Sequence, residues 1–238
     1  MDFIHTENIG EKEIENNILH ELGLKHGTDK ATKHLFTLLY DPFLKVNKSG
    51  YKNVLEIGIL HGASIRMWAD YFPNALITGI DIDRHRVRKM NEDPNYTHRV
   101  NCITASIITK QDVCAILDKI PKEFELIVDD GAHRMKHQQE AFYELFKLLK
   151  NKGIYILEDL HTSYNHEKFS ARKENNTMDL LLNFQKTGKM ESIYLTPEEN
   201  QYLSDNIEKI HILGKKNRPP VSYENGIGTS WSSIIIKK

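Results

Sequence analysis

The chain has 238 residues, of which 39% are hydrophobic and 27% charged, and its formal net charge is −1. This composition is that of an ordinary globular domain, and the near-neutral charge gives no general attraction to nucleic acid or anionic lipid. No apolar run approaches the ~20 residues of a membrane helix, and the opening MDFIHTENIGEKEIENN lacks the apolar core of a signal peptide. We therefore expect a cytoplasmic protein with no membrane or nucleic-acid partner.

The first 50 residues predict helices. An amphipathic helix is expected over 11–22, ending near Gly23 and Gly27. The segment GTDK (27–30) leads into a second helical stretch around 35–39. The apolar residues at helical spacing are Ile14, Ile18, Leu19 and Leu22 in the first helix, and Leu35, Leu38 and Leu39 in the second.

From residue 53 the pattern changes to short apolar strands that alternate with helices. Strands are predicted at 53–57, 76–82, 100–105, 125–130 and 154–159, and helices at 63–72, 84–91, 109–120 and 137–150. This alternation indicates βαβ units, and therefore a mostly parallel sheet with helices on both faces. Right-handed crossovers place the carboxyl ends of the strands along one edge, where ligands bind.

The pattern loosens after residue 160. A polar loop is predicted over 161–176, a helix over 177–187, and two late strands at 207–213 and 231–238, separated by a loop over 214–230. No linker divides the chain, so we expect a single domain. It comprises an N-terminal helical cap (1–50), a cofactor and metal core (51–165), and a C-terminal loop, helix and final strands (166–238).

The two cysteines, Cys102 and Cys114, fall in a predicted strand and a predicted helix. We interpret them as small buried hydrophobic residues in a reducing compartment rather than as a disulfide pair.

The segment LEIGILHGAS (55–64) follows the strand at 53–57 and opens a helix. Glycines at such a turn allow a ligand to approach the backbone, and the helix N-terminus favours polar groups. Asp81 ends the next strand, 23 positions after Gly58, where an acid hydrogen-bonds ribose hydroxyls; Asp83 is the near alternative. The spacing differs from the G-x-G-x-x-G fingerprint of dinucleotide sites. Together, the turn and the acid favour a nucleoside-containing cofactor.

Two further strands end in a pair of acids followed by a histidine. Adjacent carboxylates repel each other and are costly to bury, so their repetition at the ligand-binding edge indicates a site. Neighbouring strands lie ~4.8 Å apart, so acids from adjacent strands can converge on one ion, and oxygen ligands without cysteine suit magnesium. The residues are Asp129, Asp130 and His133 in IVDDGAH, and Glu158, Asp159 and His161 in IYILEDLHTSY.

These segments together resemble class I S-adenosylmethionine-dependent methyltransferases. More narrowly, GTDK, LEIGILHGASIRMWADYFPNALITGIDID, IVDDGAH and EDLHTSY resemble the metal-dependent sugar O-methyltransferases of the macrolide-sugar (mycinamicin and macrocin) type, over about residues 24–165. The resemblance implies an α/β, Rossmann-like fold with a mostly parallel, seven-stranded sheet whose last strand is antiparallel. It also implies S-adenosylmethionine and Mg²⁺ as cofactors.

The resemblance further implies roles for individual residues. His133 is the catalytic base, and Asp130, Glu158 and Asp159 are the metal ligands. Ser106 stands where the family usually has an acid, and its hydroxyl remains able to hydrogen-bond. The acceptor side has His161 and Tyr164. The cofactor-binding residues are Thr28, Lys30, Glu56, Gly58, Gly62, Ser64, Asp81, Ser106 and Asp129.

Structural alternatives stay open for several of these residues. Thr28 also suits a helix N-cap, and Asp129 suits a capping or supporting role better than direct metal ligation. His137 forms an H-x-x-x-H pair with His133, but a zinc site of that kind requires a glutamate that is missing here. Met67 and Trp68 are expected in the core of the first crossover helix rather than at the cofactor.

The predicted function is S-adenosylmethionine- and Mg²⁺-dependent O-methylation of a sugar or a sugar-containing small molecule. A hydroxyl is a poor nucleophile until its proton leaves, and a divalent cation together with a positioned base removes that proton. The alternatives are a metal-dependent O-methyltransferase of a non-sugar molecule, an NAD-type oxidoreductase and a non-catalytic binding module. The acceptor and the oligomeric state, including a homo-oligomer, are left open.

Overall fold

The computed structural model describes residues 3–164, 166–172, 174–214 and 230–238. In these ranges the strands form a single sheet of eight. The loop predicted over 214–230 lies outside the described residues except at its two ends. The strands are β1 Phe3–His5, β2 Asn53–Ile57, β3 Leu76–Asp81, β4 Val100–Thr104, β5 Phe124–Asp129, β6 Leu149–Leu157, β7 Ile207–Gly214 and β8 Trp231–Lys237.

The order of the strands across the sheet is β1-β7-β8-β6-β5-β2-β3-β4. All neighbouring pairs are parallel except those of β8, which runs antiparallel to both β6 and β7. The predicted parallel sheet with an antiparallel last strand is therefore confirmed. The expected number of seven was wrong, because the short strand β1 pairs with the edge of β7, Phe3 opposite Ile212.

Helices cover the sheet and form the N-terminal segment. Short 3₁₀ helices lie at Thr6–Asn8, Lys45–Gly50 and Leu160–Tyr164. The α-helices are α1 Glu11–Glu15, α2 Ile18–His26, α3 Asp29–Thr32, α4 Phe36–Leu44, α5 Ala63–Tyr71, α6 Arg84–Asn91, α7 Lys110–Cys114, α8 Met135–Phe146, α9 His166–Phe169, α10 Thr177–Thr187 and α11 Pro197–Asn206. In the described part of the chain, no helix has the length and apolar character to cross a membrane.

Several helix predictions need correction. The helix expected over 137–150 ends at Phe146, and Leu149 already belongs to β6. The helix expected over 11–22 is interrupted, because the side chain of Asn17 accepts a hydrogen bond from the His20 amide and starts α2 there. The helix expected over 109–120 ends at Cys114. Helix α11 was missed, although Thr196 and Glu199 form a capping box at its start.

Both faces of the sheet are buried. Along β5, Leu126 and Val128 belong to one hydrophobic cluster and Ile127 to the other. Met67 and Trp68 lie in the core, as expected. The prediction of two buried cysteines was half wrong: Cys102 is buried in β4, whereas Cys114 is exposed at the end of α7, and neither forms a disulfide.

Candidate metal and cofactor site

The carboxyl ends of β2, β5 and β6 lie side by side. Ile57 pairs with Asp129, and Asp129 pairs with Leu157, so the next residue of each strand emerges at the same level of the sheet. Two further bonds extend this alignment, from the Asp130 amide to the Ile57 carbonyl and from the Glu158 amide to the Asp129 carbonyl, each 3.0 Å. The expected adjacency of the two acid pairs is therefore present.

Asp130, His133 and Asp159 form a cluster at this edge. One ligand atom from each lies within 4.8 Å of the other two. His133 Nε2 is 3.8 Å from Asp130 Oδ1 and 3.5 Å from Asp159 Oδ2. Both His133 and Asp159 have positive φ, 54° and 56°, which turns the chain sharply at these positions. We call these three residues the acid–histidine cluster.

Lys30 lies behind the cluster, with a side chain that is only 1% exposed. Its ammonium Nζ is 2.6 Å from Asp130 Oδ2, 2.8 Å from Glu158 Oε2 and 3.3 Å from Glu56 Oε1. The Tyr40 hydroxyl donates a hydrogen bond of 3.1 Å to the second oxygen of Glu158. The carboxylate of Glu158, predicted as a metal ligand, is therefore held by Lys30 and Tyr40 on the buried side of Asp130.

The carboxylates around Lys30 outnumber its single positive charge. Burial acts to lower the pKa of Lys30, but Asp130, Glu158 and Glu56 raise it well above its usual value. Burial raises the pKa of Glu158 well above its usual value against the effect of Lys30, and Asp130 adds to the rise. Asp159 adds a further carboxylate at 22% exposure. An excess of buried negative charge is costly, so a further cation fits this site.

Asp81 holds the turn that follows β2. Its Oδ2 accepts hydrogen bonds from the amides of Ile59 (3.1 Å) and Leu60 (3.2 Å), and its Oδ1 accepts one from the Asp83 amide (2.8 Å). Asp83, the alternative ribose acid, is instead the N-cap of α6, where it accepts from the His85 amide. We call residues 58–62 the donor turn.

Gly58 is required by the packing of the donor turn. Its φ is +83°, and a Cβ at this position would lie 2.2 Å from the carbonyl oxygen of Asp130. The sequence predicted that this glycine leaves space for a ligand, whereas the close neighbour is the backbone after β5. Gly62, also at positive φ, precedes α5, and a Cβ at this position would lie 2.6 Å from the sulfur of Met90.

Several residues predicted to bind the cofactor form hydrogen bonds with other protein groups. Ser64 Oγ donates a hydrogen bond of 2.8 Å to Glu56 Oε2 behind the donor turn. Thr28 is the N-cap of α3, as the structural alternative proposed. Ser106 Oγ donates to Asp112 Oδ2 at 3.2 Å. These contacts position the backbone and leave the side chains turned toward other protein groups.

Asp129 also has a supporting position. It is buried and accepts hydrogen bonds from the Tyr155 hydroxyl (3.1 Å) and from the Gly131 amide (3.2 Å). Burial raises the pKa of Asp129 to about 6. This geometry matches the supporting role and places the carboxylate between β6 and the loop that carries His133.

The predicted acceptor-side residues, His161 and Tyr164, differ in how near they lie to the acid–histidine cluster. His161 Nδ1 is 3.8 Å from Asp159 Oδ1, and the Tyr164 hydroxyl donates to Asp179 at 3.4 Å. His137 lies one turn into α8 and is not a member of the acid–histidine cluster, so the zinc-pair alternative lacks support. The ring centre of Phe169, which the sequence did not single out, is 6.5 Å from that of His133.

A cleft of about 370 Å³ joins the donor turn to the acid–histidine cluster. This volume is in the range of small-molecule sites. Its lining includes Gly58 and Asp81 together with Asp130, His133 and Asp159. Asp29 of the GTDK segment also lines the cleft. Further lining residues that the sequence reading missed are Leu60, Ile82, Arg86, Ile107 and Ile108.

These features define the fold class. A mostly parallel sheet with an antiparallel strand inserted beside β6, and a cleft across the ends of β2, β3 and β5, have the arrangement of the class I methyltransferase fold. Residues 55–160 match the family model described as a methyltransferase domain.

Curated relatives match about three fifths of this chain. L-olivosyl-oleandolide 3-O-methyltransferase of Streptomyces antibioticus is 35% identical over 158 residues, which cover 61% of this chain and 38% of that protein. Mycinamicin VI 2″-O-methyltransferase of Micromonospora griseorubida is 31% identical, with 61% and 37% covered. The match therefore spans less than two fifths of these relatives.

Solved structures share the fold over nearly the whole chain. The MycE methyltransferase of the mycinamycin pathway, solved with Mg, S-adenosylhomocysteine (SAH) and mycinamycin VI, has a TM-score of 0.68 at 24% identity, covering 92% of this chain and 54% of that one. An O-methyltransferase from Bacillus cereus, solved with SAH, has a TM-score of 0.57 at 16% identity, covering 94% and 91%.

Proposed function

We propose that this chain is an S-adenosylmethionine- and Mg²⁺-dependent O-methyltransferase that acts on a hydroxyl of a sugar or a sugar-containing small molecule. The observation that carries the proposal is the cleft that joins the donor turn to the acid–histidine cluster. Two relatives are named as O-methyltransferases of L-olivosyl-oleandolide and of mycinamicin VI, and these names support an acceptor that carries a sugar.

The end of the cleft at the donor turn is proposed to bind the methyl donor. Asp81 stands at the end of β3, where an acid receives ribose hydroxyls. Leu60, Ile82 and Ile108 present exposed apolar side chains to the same cleft, which suits the flat faces of an adenine ring. Arg86 lies beside Asp81, at 3.7 Å, and limits how the acid can turn.

The other end is proposed to hold the divalent ion. Asp130 and Asp159 offer oxygen ligands toward the cleft. Glu158 binds Lys30, which in turn contacts Asp130. Carboxylate oxygens with water and substrate oxygens suit Mg²⁺. When bound, the ion lowers the pKa of an acceptor hydroxyl and orients it.

His133 is proposed to remove the proton from the acceptor hydroxyl. Its Nε2 faces the carboxylates of Asp130 and Asp159, which stabilise the imidazolium that forms. The hydroxyl oxygen then forms a bond to the methyl carbon while the bond from that carbon to the donor sulfur breaks. His161 and Tyr164 are proposed to form the wall of the acceptor pocket.

The proposed setting of this reaction is the cytoplasm, with a carbohydrate-containing small molecule as partner rather than nucleic acid. Both cysteines are free, with Cys102 buried in the core, which suits a reducing compartment. A homo-oligomer is compatible with this proposal.

The proposal is tested with isotopically labelled S-adenosylmethionine and a panel of nucleotide-sugars, glycosides and catechols. We expect label in at least one sugar acceptor, loss of turnover in excess chelator, and recovery with Mg²⁺. Transfer only to catechols would move the assignment to a non-sugar acceptor. Full turnover in excess chelator, or binding of NAD in place of SAH in calorimetry, would contradict the proposed chemistry.

A further inference from the structure

Lys30 lies where the donor turn and the acid–histidine cluster meet. Glu56 belongs to β2, the strand that leads into the donor turn, whereas Asp130 and Glu158 follow β5 and β6. The ammonium of Lys30 contacts all three carboxylates at 2.6–3.3 Å. One buried cation therefore connects the strand ends that carry the two halves of the site.

We propose that Lys30 is a positioning residue that couples the two halves, so that a divalent ion at Asp130 and the methyl donor at the donor turn strengthen each other's binding. This inference rests on the proposed function and deepens it. It assigns Lys30 a role different from the contact with the cofactor that the family resemblance implied.

Direct contact between Lys30 and a ligand in the cleft does not fit its position. The side chain is 1% exposed and does not line the cleft, and its ammonium is already surrounded by carboxylates. An ammonium has three donors, and three acceptors are within reach. Lys30 therefore acts on ligands through the acids that it holds.

The contact between Lys30 and Glu56 can become shorter and stronger. At 3.3 Å it is the longest of the three, and within the described ranges Lys30 is the only group paired with the buried Glu56 Oε1. A divalent ion at Asp130 draws the negative charge of that carboxylate to itself. The attraction between Lys30 and Asp130 then weakens, and the balance of Coulomb forces on the ammonium shifts toward Glu56.

The shift reaches the donor turn through one hydrogen bond. Glu56 Oε2 accepts from Ser64 Oγ, and Ser64 lies in the first turn of α5, directly after the donor turn. A firmer pair between Lys30 and Glu56 therefore fixes the start of α5 and the turn before it. Because coupling between two binding sites is reciprocal, a bound donor must strengthen ion binding by the same factor.

The test is calorimetric titration of SAH into the full chain, first in chelator and then in saturating Mg²⁺. For the wild-type chain we expect the ion to tighten SAH binding by about fivefold or more, the lower end of typical coupling. In Lys30→Met, which keeps most of the buried volume and removes the charge, we expect the ratio of the two affinities to fall to about one. A purely structural loss changes the fraction of competent protein and leaves that ratio unchanged.

Two further variants make the test decisive. Glu56→Gln removes the charge of the carboxylate that makes the longest contact with Lys30. We expect this variant to bind Mg²⁺ but to show a smaller ratio between the SAH affinities with and without Mg²⁺. If Lys30→Met fails to fold, the result for Glu56→Gln decides whether the inference holds. Lys25→Met is the matched control, because Lys25 pairs with Asp70 at 3.0 Å on the surface, away from the cleft. We expect this control to keep the wild-type ratio.

The outcomes separate the inference from the proposed function. If the wild-type chain binds neither SAH nor Mg²⁺, the proposed function fails, and the inference with it. If it binds both without coupling, or if Lys30→Met and Glu56→Gln keep the wild-type ratio, only the role assigned to Lys30 is wrong.

Discussion

The Nε2 atom of His133 lies 3.5 Å from Oδ2 of Asp159, although the two residues belong to loops after different strands. Both residues adopt positive φ, a conformation that costs a residue with a side chain roughly 1–2 kcal/mol. Backbone strain of this kind is concentrated at functional sites, where the surrounding structure holds it. The pair is therefore the strongest geometric reason to look for chemistry at this end of the cleft.

We predict that His133→Ala lowers turnover by ~10²–10⁴, the usual contribution of a positioned general base. SAH affinity should stay near the wild-type value, because the substitution leaves Asp81 and the donor turn unchanged. The measurement is initial-rate kinetics beside calorimetry with SAH. His137→Ala, on the following helix, is the control and should keep wild-type turnover; the reverse result would identify the other histidine.

We predict that Asp130→Asn and Asp159→Asn each weaken Mn²⁺ binding, with Mn²⁺ as a paramagnetic substitute for Mg²⁺. The loss should be at least roughly tenfold, since even outer partners of metal ligands have effects of that size. Electron paramagnetic resonance of free Mn²⁺ gives the affinity. Asp118→Asn changes an acid whose side chain is 99% exposed, and it should leave the affinity unchanged. Unaltered binding in both site variants would mean that the ion is held elsewhere.

We predict that Gly58→Ala destabilises the chain much more than Gly188→Ala. Both glycines have positive φ, but a Cβ on Gly188 would meet no atom of the described residues within 4 Å, whereas one on Gly58 would be 2.2 Å from Asp130 O. The expected loss in free energy of unfolding is about 1 kcal/mol for Gly188 and about 3 kcal/mol for Gly58, where overpacking adds to conformational cost. Urea denaturation measures both. Equal losses would contradict the close backbone contact.

We predict that one thiol per chain reacts rapidly with an aromatic disulfide reagent at pH 8. Burial raises the pKa of Cys102 to about 12, so this thiol is protonated as well as shielded at that pH, whereas Cys114 is exposed. The second equivalent should appear only after denaturation. Cys114→Ser should remove the fast phase, and a fast phase that survives this change would show that Cys102 is accessible.

Much of the fold follows from local pattern. The strand Asn53–Ile57 and the helix Arg84–Asn91 have the predicted bounds, because an apolar run or a capping acid defines each locally. The break before Ile18 was missed because the apolar spacing continues across it. The strand Phe3–His5 was missed because three residues show no periodicity, and its place depends on pairing with β7.

Some features of the candidate site were also predictable from local sequence, and others depend on tertiary packing. The approach of Asp130 to Asp159 was predictable, because both follow strands that a parallel sheet aligns. The burial of Lys30 was not, because its partners Asp130 and Glu158 are 100 and 128 positions away in the sequence. A lysine in a polar segment such as GTDK is typical of a surface, and only tertiary packing makes it an internal counter-ion. The apolar Ile82, directly after Asp81, was a signal that the sequence offered for the wall of the cleft.

The position of β8 has a consequence for how the chain is made. Among the described strands, β8 comes after β7 in sequence but lies between β6 and β7 in the sheet, and β1 pairs only with β7. During synthesis, therefore, neither β7 nor β1 has its place in the sheet until Trp231–Lys237 has emerged from the ribosome. Strand β1 is translated before β2 to β8 but is among the last to be incorporated, and the nascent chain must keep the edge of β6 from pairing with other partners until then.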